Sequence, residues 1–220
     1  MRIAIVGFDV EGRSTYDFFA AQGDHELVIH DQNPDLVLPS DAQGVLGPDY
    51  LDDLASYDLV VRTAGLHPSK LPAGAPVTTN LNLFFEHCPS TNIIGITGTK
   101  GKGTTSTLVA TMLRADGRTV HLGGNIGVAP LAMLSDIQPD DWVVLELSNF
   151  QLIDCKYSPA LACCLMIASE HMDWHPGLEE YVSAKQNLFR WQTPDDRAVY
   201  YADNELSQKV VSVSPGQKIP

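Results

Sequence analysis

The sequence predicts an α/β chain made of two parallel sheets in series. Two stretches predict it, each a short β-branched, apolar run that ends in glycine and leads into a helix: Arg2-Ile-Ala-Ile-Val-Gly7 and Asn92-Ile-Ile-Gly-Ile-Thr-Gly98. Such continuous apolar runs suit parallel strands covered on both faces. The third observation is alternation, because strand-length apolar runs and helical patterns follow one another to the end of the chain. No internal repeat or low-complexity segment interrupts them.

After the first strand a helix is expected over 12–21, packed by Tyr16, Phe18, Phe19 and Ala20, then a strand over 26–30 that ends at Asp31. This βαβ start is Rossmann-like. A dinucleotide fingerprint would need glycine between Gly7 and Gly12, and Asp9 stands there, its carboxylate where backbone should approach a pyrophosphate. A nicotinamide cofactor is therefore disfavoured. Asp31, about 20 residues past the loop, sits where an acid meets a ribose or base edge, and it equally reads as a solvated turn residue before Pro34. Residues 33–48 are rich in Pro, Asp and Gly, with strand fragments expected at 36–38 and 45–46 and a short helix over 50–56. A buried strand over 58–61 ends at Thr63-Ala64-Gly65, a second candidate edge of a cleft, since ligands of open α/β sheets sit at strand carboxyl ends. A proline-rich loop over 67–76 and a helix over 80–87, capped by Thr78 or Thr79, lead to a domain boundary near 89–91.

The second strand-loop-helix is the more informative. Gly98, Gly101 and Gly103 permit tight or left-handed turns that let the loop N–H groups converge, and a helix from about Lys102 adds its positive N-terminal end. The combination is an anion cradle. Lys102 can reach the β- and γ-phosphates of a nucleotide, and the hydroxyls of Thr104 and Thr105 are candidates for magnesium. The match to G-x-x-x-x-G-K-[ST] departs at Ile96, where glycine would stand, and at Gly103, where a hydroxyl would. The helix runs to about 115 and stops at Asp116-Gly117, a strand covers 119–122, and a loop over 123–127 centres on Asn125. The strand over 141–147 carries Glu146 among apolar residues, which asks for an ion pair or a metal such as magnesium. A strand over 160–167 runs toward His171, a helix covers 178–191, and a strand over 197–201 precedes a helix over 204–212. His171, Asp173 and His175 alternate, but Pro176 makes this a loop and no fourth ligand is evident for zinc. Lys185 on its helix reads, on its own, as a surface lysine.

Composition excludes several classes. Acidic side chains outnumber basic ones, 27 against 14, so the net charge of −13 disfavours a nucleic-acid backbone. No run of about 18 apolar residues exists to cross a bilayer, and the chain starts on a strand rather than a signal peptide, so a cytoplasmic protein is expected. Cys88, Cys155, Cys163 and Cys164 have neither zinc spacing nor the density of a disulfide framework and are expected as buried free thiols.

Four motifs occur in the order in which the Mur ligase family carries them: Thr97-Gly98-Thr99-Lys100-Gly101-Lys102; Gly123-Gly124-Asn125-Ile126-Gly127; Leu145-Glu146-Leu147-Ser148-Asn149-Phe150-Gln151-Leu152; and His171-Met172-Asp173 through Lys185. The chain resembles that family through nearly its whole length. The resemblance implies a Rossmann-like domain over 1–89 for the UDP end of a substrate, then a P-loop ATPase-type parallel-sheet domain over 90–220, incomplete, with a C-terminal amino-acid-binding domain absent. It implies an ATP- and magnesium-dependent acid:amino-acid ligase of peptidoglycan precursor synthesis, adding D-glutamate to UDP-N-acetylmuramoyl-L-alanine through an acyl phosphate, with these 220 residues inactive by themselves. By position, ATP falls to Gly98, Thr99, Lys100, Gly101, Lys102, Gly103, Thr104, Thr105 and Asn125. Magnesium falls to Thr104, Glu146, His171 and a carbamylated Lys185, with Lys102, His171 and Lys185 catalytic. The UDP substrate falls to Val10, Glu11, Gly12, Arg13, Ser14, Asp31, Gln32, Thr63 and Gly65. A rival from another class is a nucleotide-binding module without catalysis, for which Gly103 and Asp9 argue.

Overall fold

A computed structural model describes residues 1–171 and 173–220; Met172, inside one of the four motifs, lies outside the described residues. The chain is α/β and divides into two compact units, 1–84 with 129–132, and 85–128 with 133–220. Every strand pairing among the described residues is parallel.

The first unit contains β1 (Arg2–Val6), α1 (Val10–Ala20), β2 (Glu26–Asp31), β3 (Gln43–Leu46), β4 (Leu59–Arg62) and β5 (Val77–Thr79), and α2 (Asn80–His87) follows it across the division. Its sheet runs β3-β2-β1-β4-β5, so the chain reverses direction of growth beside β1. Alternate residues of β1 feed separate cores. Ala4 and Val6 pack with Leu54, Tyr57 and Val60, and Ile5 packs with Phe8, Tyr16 and Ile29. This two-sided burial is why the strand reads as an unbroken apolar run, each fully buried side chain contributing about 1.5–3 kcal/mol.

Three local expectations differ from the structure. Over 50–56 there is no α-helix but a 3-10 turn at Leu54–Ser56, entered through Asp53 at φ +57°, a left-handed residue that no α-helix accommodates. Residues 36–38 form no strand. The short edge strand β5 and another at Gln217–Ile219 lie outside the sequence expectations, since three residues carry too little pattern to read.

The second unit contains β6 (Ile93–Thr97), α3 (Lys102–Ala115), β7 (Val120–Gly124), β8 (Trp142–Glu146), α5 (Asn149–Leu152), β9 (Leu161–Cys164), α6 (Leu178–Arg190), β10 (Arg197–Tyr200), α7 (Glu205–Val211) and β11 (Gln217–Ile219); α4 (Pro130–Met133) lies between β7 and β8, mostly within the first unit. The sheet order β11-β10-β9-β6-β8-β7 puts β6 between β8 and β9. Ile94 and Ile96 pack with Ala110, Val109 and Leu113 of α3. Gly95 points the other way, and a Cβ there would come within 2.8 Å of Leu188 on α6. Two helices thus cover opposite faces of β6, and both carry a lysine toward its end. All four cysteines are free, Cys155 and Cys164 buried and Cys88 and Cys163 partly so.

Candidate functional site

Beyond β6 the backbone turns sharply into α3. Gly101 occupies the N-cap in the left-handed region at φ +86°, and no side chain caps the helix, so the N–H groups of its first turn are left to a ligand. Lys102 Nζ folds back on its own loop, donating to the carbonyls of Gly98 at 2.9 Å and Thr99 at 3.2 Å. Lys185 Nζ arrives from the opposite face of the sheet and donates to the same Gly98 carbonyl at 3.3 Å and to Thr97 Oγ1 at 3.5 Å. It lies 4.6 Å from the ring centroid of Tyr181. Lys185 is only 1% exposed, and burial, followed by the nearby Lys102 charge, pushes its pKa down to about 7 while Cys164 and Glu170 act the other way. Near neutrality much of this amine is therefore uncharged, which the sequence pattern of a helix surface gave no sign of.

Thr99 is sewn in by its hydroxyl. Oγ1 donates to the carbonyl of Ala168 at 3.0 Å, accepts from the Ala168 amide at 2.9 Å and lies 2.8 Å from Tyr181 Oη. One hydroxyl has one proton, already given to Ala168, so Tyr181 donates. Lys100 is exposed, as is Thr104, and Thr105 is half-buried.

Glu146 ends β8 beside Ile96 of β6. It is 4% exposed, and its Oε1 accepts from Asn125 Nδ2 at 2.8 Å, while the Asn125 amide donates to the Glu146 carbonyl at 2.7 Å. Asn125 thus holds the acid from side chain and backbone. Gly124 is required beside it: at φ +105°, a Cβ would lie 2.2 Å from the Glu146 carbonyl oxygen. Glu146 Oε2 faces α3, 3.0 Å from where a Cβ on residue 103 would stand, so glycine there leaves the carboxylate room. Thr104 departs from α3 roughly 100° around from that direction. A buried carboxylate with one oxygen fixed and the other aimed at an uncapped helix start is a hard-oxygen donor set that fits magnesium. His171 stands on the segment after β9 with φ +58°, its Nε2 3.7 Å from Glu170 Oε2 and its ring 4.8 Å from that of Phe150.

The first unit has its own cavity, of about 370 Å³, at the carboxyl ends of β1, β2 and β4. Asp31, Gln32, Thr63 and Gly65 line it, with Phe8, Tyr50 and Lys70. Asp31 Oδ2 accepts from the Phe8 amide at 2.8 Å and Oδ1 from the Asn33 amide at 2.9 Å. Arg62, 1% exposed, donates to the carbonyls of Thr63 and Leu66 and so shapes the loop along one wall. Val10, Glu11, Gly12, Arg13 and Ser14 are not among the lining residues. Asp9 caps α1 instead, accepting from the amides of Glu11 at 3.1 Å and Gly12 at 3.4 Å, which closes that helix start to an anion. Glu11 accepts from the Ala64 amide, and the Arg13 guanidinium lies 4.7 Å from the centre of the Phe8 ring. Lys70, presented by a 3-10 turn at Pro68–Lys70, is the cation that sequence reasoning missed, because a lysine in a proline-rich loop carries no positional signal.

The Mur ligase middle domain family matches residues 96–220. The UDP-N-acetylmuramoylalanine--D-glutamate ligase of Acetivibrio thermocellus is 41% identical over 180 residues, covering 79% of this chain and 38% of that protein. The protein of that name in Clostridium kluyveri is 33% identical over 229 residues, covering 98% of this chain and 50% of its own length. A crystal structure of UDP-N-acetylmuramate:L-alanyl-gamma-D-glutamyl-meso-diaminopimelate ligase from Neisseria meningitides shares the fold, with a TM-score of 0.59 at 17% identity, covering 99% of this chain and 77% of that one. The chain spans half or less of the length of these two curated relatives. It belongs to the Mur ligase family.

Proposed function

We propose that this chain supplies the nucleotide site and the UDP-substrate site of a ligase that joins D-glutamate to UDP-N-acetylmuramoyl-L-alanine at the expense of ATP. Residues 1–89 would hold the UDP end of the substrate and 90–220 the ATP. The observation that carries the proposal is the convergence of Lys102 and Lys185 on one carbonyl, Gly98 O, beside a helix start that no side chain caps. A polyphosphate offers Lys102 better acceptors than its own loop does. Lys102 then moves to the β- and γ-oxygens, and the α3 amides meet the remaining charge. Glu146, steadied by Asn125, would hold one magnesium with Thr104 or a water where residue 103 has no hydroxyl. His171 and Lys185 would hold a second. Magnesium neutralises the phosphate oxygens during in-line transfer. The substrate carboxylate would take the γ-phosphoryl group as its bond to the β-phosphate oxygen breaks and ADP leaves, giving an acyl phosphate, and the amine of D-glutamate would displace phosphate from it, losing a proton as the amide forms.

Lys185 serves that second ion as a carbamate. Its neutral amine would attack carbon dioxide, an N–C bond forming as one C–O π bond breaks, one proton would leave, and the uncharged amine would become a carboxylate-like ligand. Calorimetric titration of ATP with magnesium tests the nucleotide site: Lys102→Ala should weaken binding by about tenfold or more, and an unchanged affinity refutes it. Since the chain spans half or less of these two relatives, the 220 residues alone should form no amide bond. Turnover of UDP-N-acetylmuramoyl-L-alanine and D-glutamate by them would contradict that.

A further inference from the structure

A buried imidazole outside the ligand set just described joins the three segments that carry it. The His175 side chain is fully enclosed. Asn149 Nδ2 lies 2.8 Å from its Nε2, and an amide nitrogen only donates, so Nε2 accepts. The ring proton then sits on Nδ1, which donates to Glu180 Oε1 at 2.8 Å. Asn149 opens α5, three residues after Glu146. That short helix is locked to the strand end by a capping box, Ser148 and Gln151 each bonding the other's backbone amide. Glu180 lies in the first turn of α6, five residues before Lys185. His175 itself closes the turn that begins at His171: the amides of Trp174 and His175 donate to the His171 carbonyl at 3.1 and 3.0 Å. Phe150 completes the packing, tilted against His171, edge-on to Trp174 at 4.7 Å and parallel to the His175 ring at 6.4 Å. His171 holds a left-handed backbone that costs a non-glycine residue about 1 kcal/mol or more and persists only where the surroundings over-determine it.

We propose that His175 is a positioning residue of the metal centre: by accepting from Asn149 and donating to Glu180, it fixes the spacing of the segments bearing Glu146, His171 and Lys185. It touches no ion. The proposal rests on the reading above that His171 and Lys185 hold the second of two ions.

The test uses the 220-residue chain with manganese as the probe and a non-hydrolysable ATP analogue, bound ions being counted by electron paramagnetic resonance. His175→Phe keeps an aromatic ring and removes both hydrogen bonds. The second ion should weaken by about tenfold or more while the first stays within about twofold. His175→Gln, which keeps an acceptor and a donor, should restore much of that loss. A folded His175→Phe protein whose second-ion affinity stays within about twofold of the parent overturns the proposal, as does equal weakening of both ions, which a purely structural role would produce. If His175→Phe does not fold, the partly exposed Glu180 decides: Glu180→Ala should lose the second ion and Glu180→Gln should keep it, and indistinguishable variants overturn the proposal. The parent separates the two readings. Fewer than two ions there defeats the two-ion site itself, whereas two ions in the parent and an unaltered second ion in the variants defeats only the role of His175.

Discussion

Lys185→Met should make the chain more stable, and by an amount that depends on pH. The fold keeps this amine at 1% exposure and lowers its pKa from 10.5 to about 7, mainly by burial and then by the Lys102 charge. The difference, 10.5 minus about 7, is about 3.5 units, or a ceiling of ~5 kcal/mol at ~1.4 kcal/mol per unit. Between the two values the unfolded chain holds a proton that the folded chain has released, so stability rises with pH across that window, and the full penalty is present below it. Methionine fills a similar volume without the penalty. It also forfeits two long hydrogen bonds, 3.3 and 3.5 Å, and the contact with the Tyr181 ring. A net gain of about 1–3 kcal/mol is expected near pH 6.5, shrinking to nothing or slightly below by about pH 9.5. Urea unfolding in carbon-dioxide-free buffer, followed on the transition of the second unit, measures it. A stability difference that is constant across the pH range would refute the buried-amine argument, because only a titrating group imposes that slope.

The other expectations are simpler. Gly124→Ala sets a Cβ 2.2 Å from the Glu146 carbonyl in a backbone region that alanine disfavours, so a loss of roughly 2–4 kcal/mol by urea unfolding is expected, with weaker ATP·magnesium binding in whatever remains folded. Asp9→Ala removes the cap of α1 and should cost about 1 kcal/mol; a change within error would mean that the Glu11 and Gly12 amides find water equally well. UDP should perturb the amide resonances of Gly7, Asp31, Thr63 and Lys70 rather than Arg13 and Ser14, and Lys70→Ala should weaken it severalfold, by about 1 kcal/mol; shifts centred on Ser14 would place the diphosphate elsewhere.

The sequence alone determined the α/β class, the phosphate-type turn and the oddity of Glu146. Each follows from local pattern: β-branched runs for β1 and β6, glycine spacing for the turn into α3, and an acid stranded in an apolar run. Asp9 reads in the sequence only as a carboxylate in the way of a pyrophosphate; that it caps α1 follows from the helix starting at Val10, which brings the Glu11 and Gly12 amides to it. Only tertiary structure decided the rest. Lys185 is buried because Thr97, 88 residues away, and Gly98 receive its amine at the end of β6, and no helix-face pattern encodes such a contact. Asn125 reads as a turn residue until β7 and β8 pair and bring Gly124 beside Glu146. Lys70 becomes the cation of a cavity only when its turn folds over the ends of β1, β2 and β4. Periodicity reports the burial of a residue against its own element's neighbours, whereas a site is assembled from the ends of several elements, where the period has already stopped.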